Sequence, residues 1–326
     1  MVVRILLAVA GLVVLTFAAD HLVLGSSRLA QRLRISPVVV GVVVIGLGTS
    51  APEFLVSGVA AARGEIGLAV GNIAGSNILN LTLVLGIAAL AGSVAVTSHV
   101  IRREVPLAVG AVVLFSFLAW VGLHPVTGAV LGAAGVCAVF VLVRWAREGR
   151  SNEEVAEEAT EFTKAPAAVD VPVQASRLPT WFEPVRAVLG LAGVLAGAQL
   201  LVSNASAIAT DLGVPQVIIG FTLVALGTSL PELVTTVQAQ RRGESELVVG
   251  NLFGSNLFNS LVGGAVVGIA SGSAPTERAA VALSVTMILT AALAWMLLRR
   301  GLALTRVEAV VLLGAYALTM PLLLSS

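Results

Sequence analysis

The chain has 326 residues, 57% of them hydrophobic and only 11% charged, with 19 Lys and Arg against 18 Asp and Glu. Soluble globular domains carry about 25% charged residues, so this composition excludes that class and places the chain in a bilayer. A single cysteine, Cys137, excludes a disulfide framework, and His21, His99 and His124 are too scattered for a zinc site.

Apolar stretches close to the ~20 residues that cross a ~30 Å hydrocarbon layer recur along nearly the whole chain. In order, they predict helices at 3–25, 37–62, 66–92, 104–122 and 126–146, then at 185–209, 215–240, 246–270, 278–298 and 305–324. Runs such as VVVGVVVIGLG lack the alternation of a transmembrane β-strand. The first stretch is long and leads into arginines and further spans, so it reads as a transmembrane helix rather than a signal peptide. Cys137 reads as a packing residue, and Trp120, Trp145, Trp181 and Trp295, at span ends, as an interfacial belt. Between the fifth and sixth spans, residues 148–182 contain SNEEVAEEATEF and several prolines but no glycine-turned calcium loop, and read as a solvated linker.

The expected fold is thus an all-α membrane protein with ten transmembrane helices. Of the 19 Lys and Arg residues, all but Arg4, Arg63 and Arg278 fall on one side of the membrane under this count. The positive-inside rule makes that side cytoplasmic, with both termini outside and the linker inside.

GLGTSAPEFLVSGVAAARGEIGLAVGNIAGSNILN, from Gly46, aligns without a gap to ALGTSLPELVTTVQAQRRGESELVVGNLFGSNLFN, from Ala225, at a constant offset of 179 residues. The match reaches back to Gly41 and Gly220, and more loosely to Asp20 against Gln199. Each unit holds an odd number of spans, so residues 1–147 and 183–326 form two inverted five-helix repeats joined by the cytoplasmic linker 148–182. Inverted repeats place their binding site near the midplane, where interrupted helices meet.

Of the acidic residues, Asp20, Glu53 and Glu232 lie well inside apolar spans, and the two glutamates are repeat mates. A charge at that depth costs several kcal/mol and needs a partner. No Lys or Arg in the same spans supplies one, which leaves protonation or a bound cation. In Gly48-Thr49-Ser50-Ala51-Pro52 and Gly227-Thr228-Ser229-Leu230-Pro231, glycine and proline predict a helix break. Carbonyls freed near Gly46, Leu47, Thr49, Ala225, Leu226 and Thr228 then become hard oxygen ligands, and each restarting helix favours the negative charge of the glutamate after its proline. On the following helices, Asn72, Ser76 and Asn80, and likewise Asn251, Ser255 and Asn259, recur every four residues as polar ridges. Gly71 with Gly75, and Gly250 with Gly254, have the spacing that lets backbones approach. An all-oxygen site with two carboxylates suits Ca²⁺ or Na⁺ rather than zinc or copper. Asn77 and Asn256 read either as ligands or as helix-joining amides, and Asp20 as a helix-terminal or interhelical hydrogen-bonding residue.

These motifs resemble the paired repeats of the cation/Ca²⁺ exchanger superfamily, specifically the prokaryotic sodium/calcium exchangers. The resemblance covers essentially the whole chain in span count, repeat order and linker position. It implies that Ca²⁺ is held by Glu53 and Glu232 with the backbone oxygens of Thr49 and Thr228. It also implies flanking Na⁺ sites at Gly46, Ser50, Ser76, Ala225, Ser229 and Ser255, with Asn80 and Asn259 at the centre. Several relatives carry aspartate at the position of Asn259, so this pocket has two carboxylates rather than three and potassium dependence is not expected. The expected function is secondary active antiport of Ca²⁺ against Na⁺ in the plasma membrane, the first and sixth helices moving across the other eight. Antiport of Ca²⁺ against H⁺ is the alternative, and a passive cation channel the rival from another class. An intramembrane protease needs an aspartate pair or a serine with a histidine base, which the repeated motifs lack, so no enzyme is expected. The expected partners are Ca²⁺, Na⁺ or H⁺ and the lipid bilayer, with no cofactor, nucleic acid or obligate protein partner.

Overall fold

In hydrocarbon, backbone polar groups must bond within their own segment, and these apolar sequences do so as helices. The computed structural model describes residues 1–33, 35–148, 179, 181–213, 225–272 and 281–325. Most of the linker, the start of the seventh predicted span with Gly220, and the positions of Arg34 and Arg278 lie outside the described residues.

The chain runs through α1 (Val2–Leu33), α2 (Pro37–Thr49), α3 (Ala51–Ala62), α4 (Ile66–Ala91), α5 (Ser98–Val121) and α6 (Pro125–Glu148). It continues with α7 (Phe182–Asp211), α8 (Ala225–Thr228), α9 (Leu230–Arg241), α10 (Ser245–Ala270), α11 (Val281–Gly301) and α12 (Arg306–Ser325). Among the described residues, seven helices are long and apolar enough to cross a membrane: α1, α4, α5, α6, α7, α10 and α11. The α2–α3 pair, bent by 44° at its break, makes an eighth if counted as one span.

Burial ranks the helices. The apolar windows of α4 and α10 are 78% and 83% buried, whereas those of α1 and α7 are only 17% and 28% buried. Thus α4 and α10 form the centre and the α1–α7 pair lies at the periphery. Small residues bring the backbones of α1 and α7 into contact: a Cβ on Gly197 would sit 2.5 Å from Leu15 N, and one on Gly190 2.6 Å from Leu22 N. Ion pairs join this pair at both ends, Arg4 with Asp211 and Arg28 Nη1 with Glu183 Oε1 at 3.3 Å.

Glycines also seat α2 on α10. A Cβ on Gly250 would lie 2.6 Å from Val38 O, and one on Gly254 2.6 Å from Val42 Cα. At Gly71 and Gly75 no described residue comes within 4 Å of such a Cβ; the segment that mirrors Val38 and Val42 lies outside the described residues.

Four features differ from the sequence reading. First, α2, α4 and α10 each contain a π-helical turn, at Gly41–Gly46, Asn80–Val84 and Asn259–Gly263, where regular α-helix is expected. A π turn holds one extra residue, and composition carries no signature of it. Second, β1 (Val94–Ala95) pairs antiparallel with β2 (Ala303–Leu304), joining two interhelical connections. Third, Cys137 is exposed rather than packed; lipid tails are as apolar as a core, so apolar neighbours in sequence do not distinguish the two. Fourth, Trp145 stacks under Arg103 at 5.7 Å and Trp295 Nε1 donates to Ile101 O at 3.3 Å, so these two join helices, while Trp120 and Trp181 are exposed as a belt requires.

Candidate cation site

The two motif breaks bring the glutamates together. Pro52 and Pro231 occupy the first turns of α3 and α9, where a missing amide proton costs nothing, and Glu53 and Glu232 follow them in those turns. Ser50 (φ −77, ψ 1) and Ser229 (φ −93, ψ 6) leave helical geometry at the breaks. Both glutamates are fully buried, as are Thr49, Ser50, Asn80, Ser255 and Asn259.

The hydroxyls cross between the repeats. Ser229 Oγ donates to Glu53 Oε1 at 3.2 Å, and Ser50 Oγ donates to Glu232 Oε1 at 3.4 Å. Each carboxylate is thereby held by the other half of the chain. Ser76 Oγ donates to Glu53 Oε1 at 3.5 Å, whereas its mate Ser255 donates to Gly46 O at 3.2 Å. The Gly46 carbonyl, expected to be freed, therefore accepts from Ser255 and also from Ser50 N at 3.3 Å. Thr49 Oγ1 lies 3.0 Å from Ile45 O and 3.4 Å from Asn251 Oδ1. Thr228 is buried at the end of α8, which Ala225 begins.

The asparagines divide by role. Asn72 Nδ2 donates to Ser57 Oγ (2.9 Å) and Glu53 O (3.3 Å); Asn251 Nδ2 donates to Thr236 Oγ1 (2.9 Å), Thr235 Oγ1 (3.1 Å) and Glu232 O (3.4 Å). These amides fix each ridge to the helix carrying the glutamate. Asn77 and Asn256 join α4 to α10: Asn77 Nδ2 donates to Ser260 Oγ at 3.0 Å, and Asn256 Nδ2 to Asn77 O at 2.9 Å. Asn80 Nδ2 donates to Asn256 Oδ1 at 3.3 Å, while Asn259 has no partner for either side-chain polar atom among the described residues.

Sequence reasoning passed over Ser57, Thr235 and Thr236. A signal was present, because Ser57 and Thr236 are repeat mates, each one helical turn after its glutamate. Asp20 lies apart from this cluster, in a bidentate pair with Arg242 Nε and Nη2 at 2.8 and 2.7 Å, as an interhelical residue.

Five buried oxygens of this cluster have no hydrogen-bond donor among the described residues: Glu53 Oε2, Glu232 Oε2, Asn77 Oδ1, Asn80 Oδ1 and Asn259 Oδ1. Leaving such groups unsatisfied costs about 1–3 kcal/mol each, more for charged ones, and two neighbouring carboxylates in low dielectric add repulsion. A hard cation offsets both, since it takes carboxylate and amide oxygens together.

A helical membrane protein with a buried, two-carboxylate oxygen site between related halves has the form of an ion transporter. The sodium/calcium exchanger protein family model matches residues 3–146 and 183–324, and the chain belongs to that family. The chain is 39% identical to CaxA of Alkalimonas amylolytica over the whole of both chains. It is 30% identical to the sodium/calcium exchanger MaX1 of Methanosarcina acetivorans over 96% of each. A solved structure of the sodium-calcium exchanger NCX_Mj, soaked with 2.5 mM Na⁺ and 0.1 mM Ca²⁺, matches with a TM-score of 0.81 and 28% identity, covering 98% of each chain.

Proposed function

We propose that the chain is a secondary active antiporter that exchanges Ca²⁺ for Na⁺ by alternating access. The observation carrying this reading is the cluster of five buried oxygens without donors among the described residues, gathered from both halves of the chain. Glu53 and Glu232 hold Ca²⁺ with the backbone oxygens of Thr49 and Thr228, and Na⁺ ions use Ser50, Ser76, Ser229, Ser255, Gly46 and Ala225. Asn80 and Asn259 complete the centre, and Asn72 and Asn251 hold the walls. Ions competing for one set of oxygens cannot occupy it together, and that competition couples the fluxes.

The architecture proposed is ten spans in two inverted repeats, 1–147 and 183–326, in a plasma membrane with the linker cytoplasmic and both termini outside. The α2–α3 and α8–α9 pairs and α12 supply the spans beyond the seven long helices. The peripheral placement of α1 and α7 supports their movement against the rest.

The test is Ca²⁺ flux in proteoliposomes under imposed Na⁺, K⁺ or pH gradients. Uphill Ca²⁺ accumulation driven by Na⁺ is expected; accumulation driven only by a pH gradient would make H⁺ the coupling ion, and purely downhill flux would make the protein a channel.

A further inference from the structure

Three polar contacts run along one face of the molecule between α1 and the end of α9. Gln238 Nε2 donates to Thr16 O at 3.5 Å, Arg242 grips Asp20, and Ser27 Oγ donates to Glu244 Oε1. The repeat offset of 179 residues gives each a mirror pair on the opposite face: Val59 with Leu195, Arg63 with Gln199, and Glu65 with Ser206. The first cannot hydrogen-bond through its side chains, and the second has lost its carboxylate. The third keeps the same chemistry as Glu244 with Ser27.

The two glutamates sit on nearly identical backbone. Gly64 and Gly243 have φ of 82 and 75, and Glu65 (φ −87, ψ 59) and Glu244 (φ −87, ψ 58) each donate their amide to the alanine five residues earlier at 2.9 Å. Their side chains differ. Glu244 takes the Ser27 hydroxyl, whereas Glu65 is exposed and bonds no described side chain, and Ser206 Oγ is buried with no partner among the described residues. Packing differs in the same sense: α1 lies against α9, but α7 makes no comparable contact with α3.

We propose that Glu65 and Ser206 form the hydrogen bond that closes the opposite face in the opposite transport state, as Ser27 and Glu244 close this face here. The Asp20–Arg242 pair, whose mirror Gln199 is uncharged, biases the protein toward the present state. This rests on the inverted-repeat, alternating-access reading above. In an inverted repeat each half adopts the other's conformation when access switches, so a contact made by one half predicts its mirror in the other state. The buried hydroxyl of Ser206, without a partner among the described residues, is the half of that contact left waiting. These are positioning residues, and none touches the transported ion.

The experiment uses full-length protein with Cys137→Ser, in which Ser27→Cys with Glu244→Cys and Glu65→Cys with Ser206→Cys are combined and oxidised in proteoliposomes. Mass spectrometry is expected to find either link, but not both, in one molecule. Adding Asp20→Asn is expected to raise the fraction linked at positions 65 and 206 by roughly two- to fivefold, the worth of an ion pair whose side chains are about a third exposed. Both links in one molecule, or a 65–206 link absent under every ion condition while the 27–244 link forms, overturns the proposal. If the four-cysteine protein does not insert, Glu65→Cys alone in the Cys137→Ser protein, at a side chain exposed in the present state, is labelled with an impermeant maleimide. Asp20→Asn is then expected to slow labelling by a similar factor, and an unchanged rate overturns the proposal. Na⁺-driven Ca²⁺ flux by the protein without these substitutions is read separately: flux without exclusive links sinks the latch alone, and no flux sinks the antiport reading.

Discussion

Glu53 and Glu232 each bond one oxygen to a serine of the other repeat, and the second oxygen of each has no donor among the described residues. In the proposed site, removing either charge removes half the compensation for a divalent ion. Glu53→Gln and Glu232→Gln are each expected to abolish Na⁺-driven uptake of radioactive Ca²⁺ into inverted vesicles while protein level and monodispersity in detergent stay normal; robust uptake by either variant would refute the site. A subtler effect is expected one turn away. Ser57→Ala and Thr236→Ala each delete an acceptor for the amide that fixes a ridge, at about 1 kcal/mol. The expected result is a several-fold rise in the Ca²⁺ concentration for half-maximal flux, with Ca²⁺ transport retained, measured by titrating initial rates. At this scale the sequence was highly legible, because a carboxylate inside an apolar span announces itself and duplication repeats the announcement. Ser57 and Thr236 were equally duplicated but chemically ordinary. The Asp20–Arg242 partnership was hidden because Arg242 lies beyond the end of α9, 222 residues away.

Among the elements, the breaks in α2–α3 and α8–α9 follow directly from proline and glycine, and both helix restarts stand where the motifs predict them. Glycine spacing also foretells the seat of α2 on α10, although only the structure shows how close the backbones come. Because a Cβ on Gly250 or Gly254 would meet backbone atoms rather than a movable side chain, overpacking there is expected to cost about 1–3 kcal/mol. Gly254→Val should therefore lower the thermal unfolding midpoint in detergent by several degrees, and Gly314→Val, where nothing lies within 4 Å, should leave it near the starting value. The π turns escaped sequence reading for a physical reason. Their residues keep helical φ and ψ, and what differs is a hydrogen bond reaching one residue farther, as from Leu85 N to Asn80 O and from Gly264 N to Asn259 O.

At the level of the whole molecule, hydropathy locates the helices well, while the pairing of α1 with α7 is not visible from hydropathy at all. It depends on Gly11, Gly190 and Gly197 meeting backbone across the interface, and on ion pairs between residues far apart in sequence. If the two helices move as one body, a covalent link between them should be harmless. Arg4→Cys with Asp211→Cys, oxidised in the Cys137→Ser protein, is expected to retain at least half of the Na⁺-driven Ca²⁺ flux of the reduced form; loss of flux on oxidation would mean that the two slide past each other. The π turns at Asn80–Val84 and Asn259–Gly263 have a consequence for history as well as shape. The same extra residue stands at the same place in both copies, so it was present in the single ancestral unit before duplication. That unit carried one glutamate and one polar ridge, and duplication gave each glutamate a serine donor from the other copy.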